Sequence, residues 1–438
     1  KKPDEKGNLK DGHDVEGGAF VAMDVKTGQI LACASYPSYD LSTFFDNYED
    51  LAQDPLKPIY NRALLATYPP GSTYKMCTLI AAMEHGLVTP DEIITDGGIF
   101  LTYKEDFFTP TCLVWSSNRV THQWINGANA LEVSCNYFFY ELGYLIRESG
   151  HFMDLDATAK GFGLGEPTGV ELYENKGYRL NLATKKRLYK GVDANTIYTA
   201  DRLQSAIGQG DNRVTPLQLC VYASTLANKG TRYRATFMNR VVSADYRSLI
   251  SENKPEVMSV LEISDETYQT YVEGMKLVAR EGTGRRTFAT YPIDIACKTG
   301  TAETGLNIGS DNGAFVAFAP ANKPQIAVSV YIEKAGHGST VAGVAKEIFD
   351  SYFDVDEVGE VVIRNAKEAL RTFNYIKESV NELKGEISGS LRLGVIPTIS
   401  PYLLHKFIPE FLKRYPKVDV NVQEMETAVI CKALEKDM

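Results

Sequence analysis

Strand-like runs stand at both ends of a long stretch that reads as helix and loop, and any fold of this chain has to bring those ends together. Gly18 to Met23 and Gln29 to Ser35 are apolar β-type runs joined by Asp24–Gly28, a polar segment ending in glycine that suits a hairpin turn. Much later, Ile293 to Cys297, Ala314 to Ala319 and Ile326 to Ile332 read as three more strands, and Val341 to Phe353 as a closing helix. Between them, Tyr74 to Gly86 and Ala130 to Ile146 carry apolar residues at helical spacing, and Phe162–Gly165 and Gly208–Asp211 mark tight turns. The pattern predicts an α+β fold: one five-stranded antiparallel sheet flanked by helices.

A chain of 438 residues is longer than one core usually serves, and its pattern changes near Asp354. Val361 to Lys384 reads as one long charged helix, and from Leu391 the order becomes strand, helix, strand, helix in a parallel β/α manner. The expected organisation is a polar lead-in at 1–16, a main domain at 17–354, a linker helix at 357–388 and a partial α/β region at 389–438. A net charge of −10 offers no basic footprint, which excludes nucleic acid as a partner. Seven cysteines without a C-x-x-C pair read as free thiols. Six histidines never fall at H-E-x-x-H or H-x-H spacing, so neither metal nor cofactor is expected. Lys1 to Glu16 lacks the apolar core of a signal peptide, and no run of 18 apolar residues occurs. As given, the chain is expected neither to be targeted to a membrane nor to span one.

Three short motifs carry chemistry. A lysine three residues after a serine on a helix faces the same side, and Ser72-Thr-Tyr-Lys75 places this pair where a helix begins. Free N–H groups at such a helix start can also donate to an oxyanion. Ser251-Glu-Asn-Lys254 repeats the spacing, but Pro255 follows at once and disfavours a helix there. A lysine acts as a base only when burial or neighbours lower its pKa, so a further polar group is expected beside it. Ser134-Cys-Asn136 suits that place because it opens the apolar segment Tyr137 to Ile146. Ser116-Ser-Asn118 is a minor alternative, and Ser251–Asn253 and Ser379–Asn381 are weaker matches. The third motif, Lys298-Thr299-Gly300, ends an apolar strand, where a cation and a hydroxyl suit a carboxylate, and the N–H of Thr301 would complete the oxyanion hole. Lys26-Thr-Gly28 spells the same tripeptide and is explained by the hairpin turn.

In this order, the three motifs are the S-x-x-K, S-x-N and K-T-G set of β-lactamases and penicillin-binding proteins. The chain resembles the transpeptidase domain of class B penicillin-binding proteins over roughly Glu16 to Asp354. Gly18 to Tyr39, Tyr68-Pro-Pro-Gly-Ser-Thr-Tyr-Lys75, Phe162–Gly169 and Ile207-Gly-Gln-Gly210 are similar to further family segments. The resemblance implies a serine-type D-Ala-D-Ala transpeptidase that cross-links peptidoglycan stem peptides and is trapped by β-lactams. Ser72 would be the nucleophile, Lys75 the base and Ser134 the proton relay. Asn136 would be a substrate ligand, Lys298, Thr299 and Gly300 the carboxylate anchor, and the N–H groups of Ser72 and Thr301 the oxyanion hole. It further implies the extracytoplasmic face of the bacterial cytoplasmic membrane and partners in the elongation or division machinery. The resemblance also implies a membrane anchor and a pedestal domain, and neither is expected within the sequence given.

Cys135 stands where class A β-lactamases carry Asp, and no E-x-x-x-N loop supplies a deacylating base, which favours a transpeptidase over a β-lactamase. The alternatives are a β-lactamase or D,D-carboxypeptidase of the same fold, a β-lactam sensor, or an inactive catalytic domain joined to an effector-binding region. Glu166 in a Gly/Pro turn reads as a solvated acid and His122 as structural. The cysteines beside the motifs read as packing residues, and Trp115, Tyr74 and Tyr233 are candidate groove residues. The tail, Glu357–Glu360 and Gly389–Leu404, resembles the linker helix and first part of the effector domain of LysR-type regulators. Its free N–H groups near Thr398 to Pro401 would bind a small anion.

Overall fold

In the computed structural model, which describes residues 14–103, 108–303, 310–355, 389–395, 408–414 and 418–424, the strands from the two distant stretches pair into one sheet. β1 (Gly18–Asp24) and β2 (Ile30–Tyr36) form the opening hairpin, and β3 (Ala296–Ala302), β4 (Asn312–Ala319) and β5 (Ile326–Ile332) complete the order β2-β1-β5-β4-β3. β5 runs antiparallel to both neighbours, from Gly18↔Ile332 to Asp24↔Ile326 on one side and from Gly313↔Ile332 to Ala319↔Ile326 on the other. Among the described residues β3 pairs only with β4, through Val316↔Lys298 and Gly313↔Thr301, and so forms an edge of the sheet. The hairpin turn is set by Asp24, whose carboxylate accepts from the N–H groups of Lys26 and Thr27. That turn accounts for the extra Lys-Thr-Gly tripeptide.

The helices that matter for the site are α1 (Lys75–Glu84), α2 (Asn136–Glu148), α3 (Pro216–Ala227) and α4 (Asp265–Arg280). All of α3 is buried, because it lies along β5 and β1. Ser329 of β5 donates to the Pro216 carbonyl at 2.6 Å, and the Cys220 thiol donates to the Ala327 carbonyl at 3.4 Å. The start of α3 is closed by a capping box: Thr215 Oγ1 accepts from Gln218 N–H at 3.1 Å, and Gln218 Oε1 from Thr215 N–H at 3.1 Å. α4 packs on β3 and on the short helix Gly127–Glu132.

Two expectations change. The third motif lies inside a strand rather than at its end, since β3 continues to Ala302; an edge strand tolerates polar residues because only one of its sides is paired. The expected helix Ala130–Ile146 is broken into Gly127–Glu132 and α2, because Ser134 takes a left-handed backbone with φ +55°.

Contacts group the chain into two units, Lys1–Ala32 with Arg62–Lys346, and Cys33–Asn61 with Glu347–Met438. Within the second, Gly389–Val395 and Val418–Glu424 pair in parallel from Gly389↔Val418 to Val395↔Glu424, with a helical segment at 408–414 between them in sequence. This is the parallel strand–helix–strand pattern expected of the tail. The linker helix at 357–388 and the turn near Thr398 lie outside the described residues. Among the described residues no helix is long and apolar enough to cross a membrane.

Candidate active site

The chain enters the site through Pro69 and Pro70 and makes a 3₁₀ turn, Gly71–Tyr74, that runs directly into α1. Ser72 is half-buried, whereas Gly71 and every residue from Thr73 to Met83 are buried, so Ser72 is the one hydroxyl-bearing residue of this run that is partly exposed. The Lys75 N–H donates to the Ser72 carbonyl, and residues three apart fall on one side of such a turn. The Lys75 side chain is fully buried, yet all three ammonium donors are used: Asn136 Oδ1 accepts at 2.7 Å, the Ser134 carbonyl at 2.8 Å and Ser134 Oγ at 3.2 Å. Burial pushes its pKa down to about 8.

Ser134 receives two lysines. Lys298, also fully buried, donates to Ser134 Oγ at 3.0 Å and to the Thr299 carbonyl at 2.9 Å. Burial, and then repulsion from Lys75, hold Lys298 well below the usual lysine range. The left-handed conformation of Ser134 costs roughly 1–2 kcal/mol in a non-glycine residue. It persists where the Lys75 ammonium grips the Ser134 carbonyl and hydroxyl together.

On the edge strand, Gly300 lies against Pro70 and Thr73. The Thr301 carbonyl faces the Ser72 turn, since a Cβ on Gly71, itself at φ +55°, would lie 2.7 Å from it. In an antiparallel strand the N–H and C=O of one residue point to the same side, so the Thr301 N–H faces that turn as well. The structure thus gathers Ser72, Lys75, Ser134, Asn136, Lys298, Thr299, Gly300 and Thr301 from three separate stretches. A cleft of about 250 Å³ opens beside Asn136, lined among others by Thr111, Leu113, Ser116, Tyr140, Gln204 and Glu303.

Two residues on this site escaped the motif reading. Thr283 Oγ1 lies 2.6 Å from Thr299 Oγ1, and Gln209 Nε2 donates to the Thr301 carbonyl at 3.2 Å. Gln209 falls within the family-like Ile207–Gly210 segment; nothing in the sequence marks Thr283. Of the rival residues, Ser116 alone among those described lines the cleft. Ser251 sits on the exposed strand Leu249–Glu252, and Glu166 is held by Arg179 at 2.9 Å. Tyr74 is core, and Tyr233 packs at the Gly28 turn, the end of the sheet away from Thr301. Trp115 stacks over Gly98, Ser116 lines the cleft with Oγ 2.5 Å from Thr111 Oγ1, and Ser379 lies outside the described residues.

The sequence shows no metal-ligand spacing, but the fold brings candidate ligands together. Asp96, Cys112, His122 and Cys135 converge behind the second motif. His122 Nδ1 lies 3.0 Å from Asp96 Oδ2 and 3.5 Å from Cys112 Sγ; Cys135 Sγ lies 3.8 Å from Cys112 Sγ and 3.5 Å from Asp96 Oδ2. All four ligand atoms lie within 4.8 Å of one another. The contact between the two thiols holds Cys112 below and Cys135 above the usual thiol range. Against burial, Cys112 and Asp96 raise His122. The four donors could hold one tetrahedral cation. Their spacing hid them, because no two are neighbours on one helix or strand. All six described cysteines are buried.

Comparison with known proteins accords with this geometry. Residues 18–354 match the penicillin binding protein transpeptidase domain, and residues 384–437 match the LysR substrate binding domain. The chain is 32% identical over 353 residues to the peptidoglycan D,D-transpeptidase MrdA of Acinetobacter baumannii, covering 76% of this chain and 50% of that protein. It is 32% identical over 345 residues to the peptidoglycan D,D-transpeptidase PbpA of Mycolicibacterium smegmatis, covering 75% and 64%. The crystal structure of Pseudomonas aeruginosa PBP2 in complex with WCK 5153 superposes with a TM-score of 0.67 at 30% identity, over 76% of this chain and 70% of that one. Helicobacter pylori PBP2 in complex with MreC superposes at 0.66 and 26%, over 78% and 61%. The chain spans about half the length of the MrdA relatives it matches. From its opening hairpin to its closing helix, this chain belongs to the penicillin-binding protein transpeptidase family, on the class B side that its MrdA relatives represent, and it carries a LysR-like segment after that domain.

Proposed function

We propose that the chain is a peptidoglycan D,D-transpeptidase that works through an acyl-enzyme on Ser72. The observation that carries this reading is the sharing of Ser134 Oγ by two buried lysines, one of them three residues after Ser72 on the same turn. A Lys75 held near 8 is neutral in a useful fraction of molecules at neutral pH and can take the Ser72 proton as Oγ attacks the carbonyl of the penultimate D-Ala. The negative charge that develops on that carbonyl oxygen is met by the N–H groups of Ser72 and Thr301. The Lys75 proton passes through the Ser134 hydroxyl to the departing amine, the C–N bond breaks, and the terminal D-Ala leaves. An acceptor amine of a neighbouring strand then attacks the ester, forms the new peptide bond and returns Ser72 to its hydroxyl form.

Lys298 and Thr299 suit the terminal carboxylate. Burial and Lys75 disfavour the Lys298 ammonium, and an incoming carboxylate would restore it, so binding and protonation support each other. Asn136, whose Oδ1 holds Lys75, has its amide N–H₂ left to meet a substrate carbonyl in the adjoining cleft. By likeness to MrdA and to PBP2 bound to MreC, the setting is the extracytoplasmic face of the membrane, with the cell-elongation machinery as partner.

Incubation with a fluorescent penicillin, read by intact mass, tests the proposal. Stable one-to-one labelling lost in Ser72→Ala but kept in Ser251→Ala is the expected result. Labelling that is rapidly released points instead to a β-lactamase or carboxypeptidase. Stable labelling without any turnover of a D-Ala-D-Ala stem peptide points to a sensor. No labelling of folded wild type overturns the proposal.

A further inference from the structure

We propose that Gln209 is a positioning residue that sets the Thr301 edge of β3 against the Ser72 turn, and so fixes the distance between the two N–H groups of the oxyanion hole. This rests on the acyl-enzyme reading above and extends it to a turn that takes no direct part in the chemistry.

The Ile207–Gly210 turn is bonded to both elements that supply those N–H groups. Toward the nucleophile, the Gly208 carbonyl accepts from the Gly71 N–H at 2.9 Å, and Thr78 of α1 donates to the Ala206 carbonyl at 2.7 Å. Toward the sheet, Gln209 Nε2 donates to the Thr301 carbonyl at 3.2 Å. The turn itself is braced from behind. The Gly208 and Gln209 N–H groups donate to Ser205 and Gln204 at 2.9 Å each, and buried Asn212 donates to the Gln209 carbonyl and to Ser205 Oγ, both at 3.0 Å. Gly208, at φ +75°, leaves no room for a side chain, since a Cβ there would lie 2.2 Å from the Gly71 carbonyl and 2.6 Å from Tyr74. The turn is therefore a rigid spacer in direct backbone contact with the nucleophile turn.

β3 needs such a spacer. Among the described residues it is an edge strand paired with β4 alone: the ladder sets the plane of each peptide, but no second strand holds its outer side at a set distance from the Ser72 turn. The Gln209 amide takes the outward carbonyl of Thr301 and leaves the outward N–H, on the same side of the strand, free for a substrate oxygen. A donor held at hydrogen-bond distance from a developing oxyanion acts steeply with position, and losing one costs about 10²- to 10³-fold in rate. Loosening one, by removing its support, is expected to cost about tenfold to a hundredfold.

The test is pre-steady-state acylation by a chromogenic cephalosporin, which separates the dissociation constant of the encounter complex from the limiting acylation rate. Gln209→Met keeps the length and loses the donor; Gln209→Glu loses the donor and repels the carbonyl; Gln209→Lys restores a donor of similar reach. The expected result is a limiting rate about tenfold to a hundredfold lower in Met and Glu, with the dissociation constant within about threefold and recovery in Lys. The ester carbonyl stretch of the acyl-enzyme, measured by infrared difference spectroscopy, should rise in Met and Glu as donation to that oxygen weakens. Limiting rates within twofold of wild type, an unmoved carbonyl stretch, or a Lys variant no better than Met would each overturn the inference. So would losses that simply track a lower melting temperature in all three variants. A wild type that does not acylate would remove the acyl-enzyme reading and this inference together.

Discussion

Lys75 and Lys298 are both fully buried, a placement that disfavours a charged amine, and both are depressed for that reason first. For Lys75 the sign is direct: its neutral form takes the Ser72 proton, so acylation is slow below about pH 8, rising about tenfold per unit, and levels off above it. Measuring the second-order acylation rate from about pH 6 to 9 with a penicillin of constant charge checks this, and a flat profile would remove Lys75 as the base. Ser72→Ala should abolish covalent labelling while shifting unfolding free energy by no more than about 0.5 kcal/mol, because a half-buried hydroxyl packs little surface. Urea unfolding alongside the labelling assay reads both. At this scale the sequence was informative about Ser72, Lys75, Ser134, Asn136 and Lys298, because each is part of a short motif with a chemical rationale. It was silent about Thr283 and the role of Gln209, whose partners Thr299 and Thr301 are distant in sequence.

The capping box that opens α3 is an element-scale device, since α3 fills the space along β5 and β1. Thr215→Ala leaves the Gln218 N–H unpaired in a fully buried place and should destabilise the fold by about 1–2 kcal/mol, read as a lower urea midpoint at unchanged slope. The Asp96, Cys112, His122 and Cys135 cluster ties the strand Ile94–Asp96 to the start of α2, next to Ser134. One equivalent of zinc should bind, be lost in Cys112→Ser, and, when removed by a chelator, lower the melting temperature. Metal analysis after dialysis, with melting curves before and after chelation, checks it. Elements themselves were legible where a periodic pattern ran unbroken: the hairpin, β4, β5 and the helix after Ser72. The expected helix across Ser134 was wrong because a left-handed residue interrupts it, and apolar spacing carries no signal for that.

For the whole molecule, the proposed division near residues 354–360 predicts that a chain ending at Val355 still folds and acylates within about twofold of the full chain, because every gathered site residue precedes that point. Penicillin acylation kinetics of the two proteins decide it, and a large loss would mean that the LysR-like segment supports the catalytic domain. The sequence by itself determined the α+β class, the family and the order of the three motifs, because hydrophobic periodicity and short-range spacing are written locally along the chain. It also placed the composition break that precedes the LysR-like match at 384–437. Only the tertiary structure decided that two lysines more than two hundred residues apart share one serine hydroxyl, that Gln209 reaches the edge strand β3, and that four scattered donors meet behind Ser134. Those contacts arise because distant strands close one sheet with helices packed against it, and no local pattern encodes which side chains that closure brings face to face.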